Sequence, residues 1–189
     1  MGDLQHPLLC DAHDAQLVMV DIQERLADAM PERPRQQVIR NTTILVQAAA
    51  LLDIPLNRTE QYPKGLGDTL APIAAELPAT HWYGEKTCFA CTGASGFMSR
   101  LGDGGKQIVL AGMETHVCVL QTAMTLHASG FQVFVVEDAC CSRYKQHHFN
   151  ALERLRHAGV IVSSTESVLF EWLRDSSHPQ FKTITALIR

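Results

Sequence analysis

Apolar and polar positions fall in blocks along this chain, and the period changes from block to block. Gln16-Leu17-Val18-Met19-Val20-Asp21-Ile22 is a short β-rich apolar run that predicts a central buried strand. Residues 35–52 change to helical spacing, with Val38, Ile39, Thr42, Leu45, Val46 and Ala49 on one face. Pro31 and Pro34 bracket the loop before that helix. Residues 55–59 and 81–84 predict two more strands, and the Pro and Gly content of residues 60–67 predicts a loop between them. Residues 85–93 read as irregular and 94–101 as helical. A turn, Gly102-Asp103-Gly104-Gly105, leads to a strand over 106–112 and a helix over 115–129 closed by Gly130. A strand over 131–138, a helix over 145–157 closed by Gly159 and a strand over 160–162 follow. Helices over 165–173 and 180–188 close the chain, with Thr165 and Pro179 near their starts. Residues 1–14 are polar, carry Pro7 and are expected at the surface.

Strand–helix alternation implies a parallel sheet with helices on both faces. Right-handed crossovers make it a doubly wound α/β sheet of about six strands, a Rossmann-like three-layer sandwich. The 189 residues suffice for one such domain, spanning 1–189, with a substantial core.

The most informative stretch is Leu110-Ala111-Gly112-Met113-Glu114-Thr115-His116-Val117-Cys118-Val119. Cys118 lies where a buried strand gives way to a helix. The carboxyl ends of the strands form the binding crevice of an open α/β sheet. A thiol there feels the positive end of a helix and can be held as thiolate. The competing reading is a small apolar residue packing a first helical turn. Asp21 closes the first strand at the same edge, where a carboxylate needs a partner or serves as a cap. Lys86 follows the third strand. Together the three residues make a chemical unit. Asp21 would take the thiol proton as general base, and Lys86 would stabilise the thiolate and keep Asp21 ionised. Backbone N–H groups around Glu114 and Cys118 would receive an oxyanion.

Composition narrows the setting. Lys plus Arg is 16 and Asp plus Glu is 20, a net charge of −4, so neither a nucleic-acid surface nor a polybasic membrane anchor is expected. No run approaches the ~20 apolar residues of a membrane helix, and the N-terminal residues lack the pattern of a secretory signal. A cytoplasmic protein with its six cysteines as thiols follows. Cys88 and Cys91 have a C-x-x-C spacing, but no second ligand pair completes a zinc site and no thioredoxin-type helix follows. Cys140 and Cys141 are adjacent and are expected to pack the end of a strand.

Val20-Asp21-Ile22-Gln23, Glu85-Lys86-Thr87-Cys88-Phe89 and Gly112-Met113-Glu114-Thr115-His116-Val117-Cys118-Val119 resemble, in order, the three catalytic segments of the isochorismatase-like cysteine hydrolases. Thr59-Glu60-Gln61-Tyr62-Pro63-Lys64-Gly65-Leu66-Gly67 and the segment from Ala151 to Ser163 resemble the isochorismatase-domain-containing branch. The resemblance runs from about residue 12 to residue 189. It implies an Asp–Lys–Cys triad carried by Asp21, Lys86 and Cys118. It also implies a cis peptide before the nucleophile turn, at Met113–Glu114, with Met113, Glu114 and Cys118 forming the oxyanion turn. The nicotinamidases of the superfamily bind a metal through Asp-x-His and a further His after the second strand. Asn57-Arg58-Thr59-Glu60-Gln61 stands there instead, which disfavours a metal and nicotinamide. A thiol nucleophile favours acyl chemistry on a C–N bond over vinyl-ether cleavage.

Around that centre, Gln23, Glu60, Gln61, Phe89 and His116 are candidate substrate contacts, each also readable as loop, surface or core structure. Trp82 and Tyr83 wall the pocket or pack the core. His147-His148 opens a helix and is expected at the surface. Arg143 would pair with an acidic residue at a subunit interface or with a substrate carboxylate. The apolar stretch 167–173 offers a surface for a homo-oligomer. The expected protein is a metal-independent, cofactor-free hydrolase of a small molecule. The alternative is an oligomeric scaffold that keeps the fold with little activity, and a third reading is a redox sensor built on Cys118 and another thiol.

Overall fold

Six parallel strands form one sheet in the computed structural model, which describes residues 6, 8–102 and 104–189. The expectations for Pro7 and for Asp103 in the 102–105 turn therefore lie outside the described residues, as do residues 1–5. The strands are β1 (Ala15–Val20), β2 (Leu56–Gln61), β3 (Trp82–Lys86), β4 (Gln107–Met113), β5 (Gln132–Cys141) and β6 (Ile161–Ser163). They lie in the order β3-β2-β1-β4-β5-β6. The helices are α1 (Glu24–Asp28), α2 (Glu32–Leu51), α3 (Pro63–Leu66), α4 (Ala71–Ala74), α5 (Phe97–Gly102), α6 (Leu120–Ala128), α7 (Lys145–His157), α8 (Thr165–Leu173) and α9 (Phe181–Ala186). A 3-10 turn spans Cys91–Gly93 and a π turn Thr115–Val119.

The pleat sorts the buried residues onto two faces. Leu17 and Met19 of β1, Val109 and Ala111 of β4 and Phe134 of β5 face one side, where Leu45 and Ala49 of α2, Val168 and Trp172 of α8 and Ile184 of α9 cover them. Val18, Val20, Ile108, Leu110 and Val135 face the other, under Phe97 and Leu101 of α5, Ala123 and Leu126 of α6 and Leu152 and Leu155 of α7. Each face is a hydrophobic core, which makes the three layers of a doubly wound α/β fold.

The strand order reverses between β1 and β4, so their carboxyl ends open the crevice where such folds bind ligands. Val20 pairs with Gly112 at that end. A Cβ on Gly112 would come within 2.1 Å of the Val20 carbonyl oxygen, and its φ of +145° suits glycine alone. Gly112 therefore does not end β4; it lets the strand run on to Met113.

Other boundaries moved for physical reasons. Pro34 sits in the first turn of α2, where no helical acceptor awaits an N–H, rather than in a loop. β5 runs on to Cys141 through an irregular pairing with β4 that absorbs Glu137 and Asp138. Cys140 and Cys141 are buried at its end. Four residues of the 167–173 stretch, Val168, Leu169, Trp172 and Leu173, are buried in the chain's own core, which leaves Phe170, against Phe181, as its exposed large apolar side chain.

Candidate active site

Asp21 follows β1 with φ at 51°, a left-handed turn that Asp tolerates better than most residues. Its N–H bonds the Thr59 carbonyl of β2 at 3.2 Å, and its side chain is fully buried. The Asp21 carboxylate has a partner on each oxygen. Lys86 Nζ donates to Oδ2 at 2.5 Å and Thr59 Oγ1 to Oδ1 at 2.8 Å. Burial first, and then the charge of this same carboxylate, raise the neighbouring Cys118 thiol. Asp21, Lys86 and Cys118, distant in sequence, thus meet at the switch point.

Lys86 is the last residue of β3, not a loop residue after it, and it pairs with Gln61 in the register of β2. Its ammonium spends its three protons on Asp21, on Gln61 Oε1 at 2.7 Å and on the Cys88 carbonyl at 3.3 Å. Burial disfavours that cation, but Asp21, by its charge and its hydrogen bond, and the nearby Cys91 and Cys118 together outweigh it, and the net shift of Lys86 is upward. Burial also raises Asp21, more than Lys86, Thr59 and Cys118 pull it down. A carboxylate made more basic in this way is suited to accept a proton.

Cys118 sits in the π turn after β4 and is 5% exposed. Burial and the Asp21 carboxylate raise its pKa; Lys86 only partly offsets them. The thiolate expected from the sequence is thus not the resting form. One helix end and one shared cation do not overcome burial beside a carboxylate, so the thiol keeps its proton until something takes it.

The Met113–Glu114 peptide is cis. Met113 is buried in the core, and the Glu114 carbonyl accepts from the amides of Val117 and Val119. The Glu114 carboxylate is held by the Arg143 amide at 2.9 Å and the Arg143 guanidinium at 3.1 Å. Arg143 therefore has its acidic partner within the chain.

The candidate contacts separate. Gln61 orients Lys86 and donates to the Thr87 carbonyl at 2.7 Å. Gln23 is fully buried and its amide is spent on backbone: it donates to the carbonyls of Gln61 (3.0 Å) and Gly67 (2.7 Å) and accepts from Gln61 N–H (2.7 Å). These bonds brace β2 against the Gly67 segment. Glu60 is not in a loop. β2 carries it to the opposite face from Thr59 and Gln61, where it accepts from Thr69 and Tyr83 and pairs with Arg58. Burial alone would raise its pKa; those partners outweigh it and hold it below the ordinary range. Tyr83 is thereby engaged, and Trp82 packs on Phe97 at 5.5 Å. His116 bonds Ser142 at 3.0 Å and stacks on His147 at 4.7 Å, and His148 bonds Thr115 at 2.9 Å. Phe89 is 52% exposed on the segment after β3.

Two partners escaped the sequence. Thr59 reads as an ordinary strand residue, and Cys91 reads as half of a C-x-x-C pair. In the structure Cys88 is exposed and Cys91 is buried, with both thiols free, and the Cys91 sulfur is 3.3 Å from Thr59 Oγ1. Among the described residues, no three His, Cys, Asp or Glu side chains are grouped to hold a metal. No described helix is long and apolar enough to cross a membrane. A surface cleft of about 510 Å³ between α2 and the start of α8, lined by Arg33, Arg40, Asp138 and Glu166, lies away from this chemistry.

The sequence profile of the isochorismatase domain matches residues 15–167. The chain belongs to the isochorismatase family. It is 37% identical to isochorismatase domain-containing protein 2A of Mus musculus, covering 92% of this chain and 82% of that one. It is 39% identical to isochorismatase domain-containing protein 1 of Danio rerio, over 89% of this chain and 59% of the other. Among solved structures it is similar to one described as MAR1 ribonuclease from Caenorhabditis elegans, with a TM-score of 0.90, 32% identity and coverage of 95% and 92% of the two chains. Family membership makes hydrolysis the expected class of activity and agrees with the doubly wound fold.

Proposed function

We propose that this isochorismatase-family protein is a metal-independent cysteine hydrolase of a small molecule, acting on an amide-type C–N bond. The observation that carries the reading is the buried Asp21–Lys86 pair beside the Cys118 thiol. As the sulfur attacks the carbonyl carbon, Asp21 takes the thiol proton, and Lys86 keeps the developing negative charge compensated. Backbone N–H groups of the Glu114–Cys118 turn receive the oxyanion. Asp21 returns its proton to the leaving amine as the C–N bond breaks, leaving a thioester on Cys118. It then takes a proton from water as the water attacks, and returns that proton to the sulfur as the C–S bond breaks, giving the acid, the thiol and the carboxylate again. Gln61 orients Lys86.

The 5% exposure of Cys118 favours a small substrate. Phosphodiester cleavage, suggested by the description of the nematode neighbour, is less well supported here: the chain has a net charge of −4 and the buried centre offers a thiol and a base to a carbonyl. The six free cysteines suit a reducing, cytoplasmic setting. We expect a homo-oligomer. The exposed Tyr144 and Phe149 around the start of α7 support a subunit contact there. The closure over Cys118 is the observation that favours the scaffold reading. A panel of small amides and esters, assayed with wild type and Cys118→Ala, decides between them. Turnover lost in Cys118→Ala supports the hydrolase; equal rates in both, or none in either, overturn it.

A further inference from the structure

Behind the Asp21 carboxylate lies a buried thiol that the proposed reaction does not use. Cys91 is fully buried in the 3-10 turn before α5. Its amide donates to Thr122 Oγ1 of α6 at 2.9 Å. That fixes Cys91 against the helix that continues from the Cys118 turn. The Cys91 sulfur is 3.3 Å from Thr59 Oγ1, and Thr59 Oγ1 is 2.8 Å from Asp21 Oδ1.

Counting protons orders these contacts. An ionised carboxylate only accepts, so the single hydroxyl proton of Thr59 goes to Asp21. Thr59 then meets Cys91 with a lone pair, and Cys91 must supply the proton. Burial first, and the Asp21 charge second, push the Cys91 thiol up to about 11, so it holds that proton at neutral pH. The chain runs Cys91 S–H to Thr59 O–H to Asp21 Oδ1, while Lys86 holds Oδ2.

We propose that Thr59 and Cys91 are positioning residues for Asp21: their donor chain keeps the carboxylate ionised and fixed in rotation, so that its remaining lone pairs face the Cys118 proton. Cys88 stays exposed, and Cys91 acts on the base through Thr59. This role rests on the reading of Asp21 as general base.

The test is the rate of Cys118 alkylation by iodoacetamide against pH, assigned to the residue from fragment spectra. The variants are Asp21→Asn, Thr59→Val, Thr59→Ser and Cys91→Ala, each checked for folding by circular dichroism. In Thr59→Val the carboxylate loses a donor, so it ionises at higher pH. The acid-side limb of the profile moves up by about one pH unit, a tenfold slower reaction on the limb. Thr59→Ser restores the hydroxyl and returns the limb to its wild-type position. Cys91→Ala, which cuts the chain one link earlier, moves the limb the same way by less and serves alone if Thr59→Val does not fold. A limb unmoved in Thr59→Val or Cys91→Ala, or moved equally by Thr59→Ser, overturns the relay while Asp21 stands as base. A profile identical in wild type and Asp21→Asn overturns the base itself, and the relay with it.

Discussion

Replacing Lys86 by methionine keeps most of its stem and removes its charge. In the folded protein the side chains of Lys86 and Asp21 are both fully buried, and the ammonium bonds Asp21, Gln61 and the Cys88 carbonyl. Lys86→Met therefore leaves a buried carboxylate and two buried acceptors without their donor. Breaking a buried pair from one side costs about 3–5 kcal/mol. For a chain of this size that is a fall in Tm of roughly 6–20 °C. The loss must depend on pH. Burial already raises Asp21, and removing the cation raises it further. A group whose folded pKa is raised favours folding below its unfolded value of about 3.9 and loses that contribution as pH rises through the folded value. The variant is thus closest to wild type under acid conditions and furthest from it at alkaline pH. Adding Asp21→Asn removes the stranded charge, so the double variant is expected to recover stability relative to Lys86→Met. Urea unfolding of the four proteins at acid and alkaline pH measures all three effects. A loss below about 1 kcal/mol, or one that does not change with pH, would refute the description of this pair as buried and mutually dependent.

Gln23→Ala removes an amide that makes three buried hydrogen bonds to backbone. It is expected to cost about 2–4 kcal/mol in urea unfolding and to leave the pH dependence of Cys118 alkylation in place; a changed profile with unchanged stability would make Gln23 part of the chemistry after all. Gly112→Ala would drive a Cβ into the Val20 carbonyl at 2.1 Å, so little folded protein is expected by circular dichroism; a normal melting curve would contradict that register. Ser164 caps α8 by accepting from the Ser167 amide at 3.3 Å, and Ser164→Ala is expected to lower stability by about 1 kcal/mol with no effect on alkylation.

Much of this arrangement was legible in the residues. The bounds of α7 and α8 follow from periodicity ended by Gly159 and begun at Thr165, and β1 and β4 follow from their apolar runs. β3 is an edge strand with a half-exposed Trp-Tyr-Gly-Glu-Lys sequence, so its polar end reads as loop and Lys86 is placed one element too late. The same blurred boundary hides the face of Glu60: once β2 extends to Gln61, alternation sends Gln61 toward Lys86 and Glu60 away from it. Asp21 and Cys118 are visible as polar groups at strand ends. Their charge states are not, because burial is a property of what the rest of the chain places over them. Thr59 and Cys91 are invisible for a different reason: a threonine in a strand and a cysteine in an apolar turn have ordinary packing roles, and only the proton count across three elements gives them another.

The central claim is that Cys118 is a nucleophile activated by Asp21. Its most direct test is to mix the protein with p-nitrophenyl acetate, follow nitrophenolate release, and map the acyl group by mass spectrometry. The predicted result is a burst with a single acyl group on Cys118, absent in Cys118→Ala, and formed and hydrolysed more slowly in Asp21→Asn. A folded wild-type protein that stays unacylated, or that carries the acyl group on another residue, would contradict it.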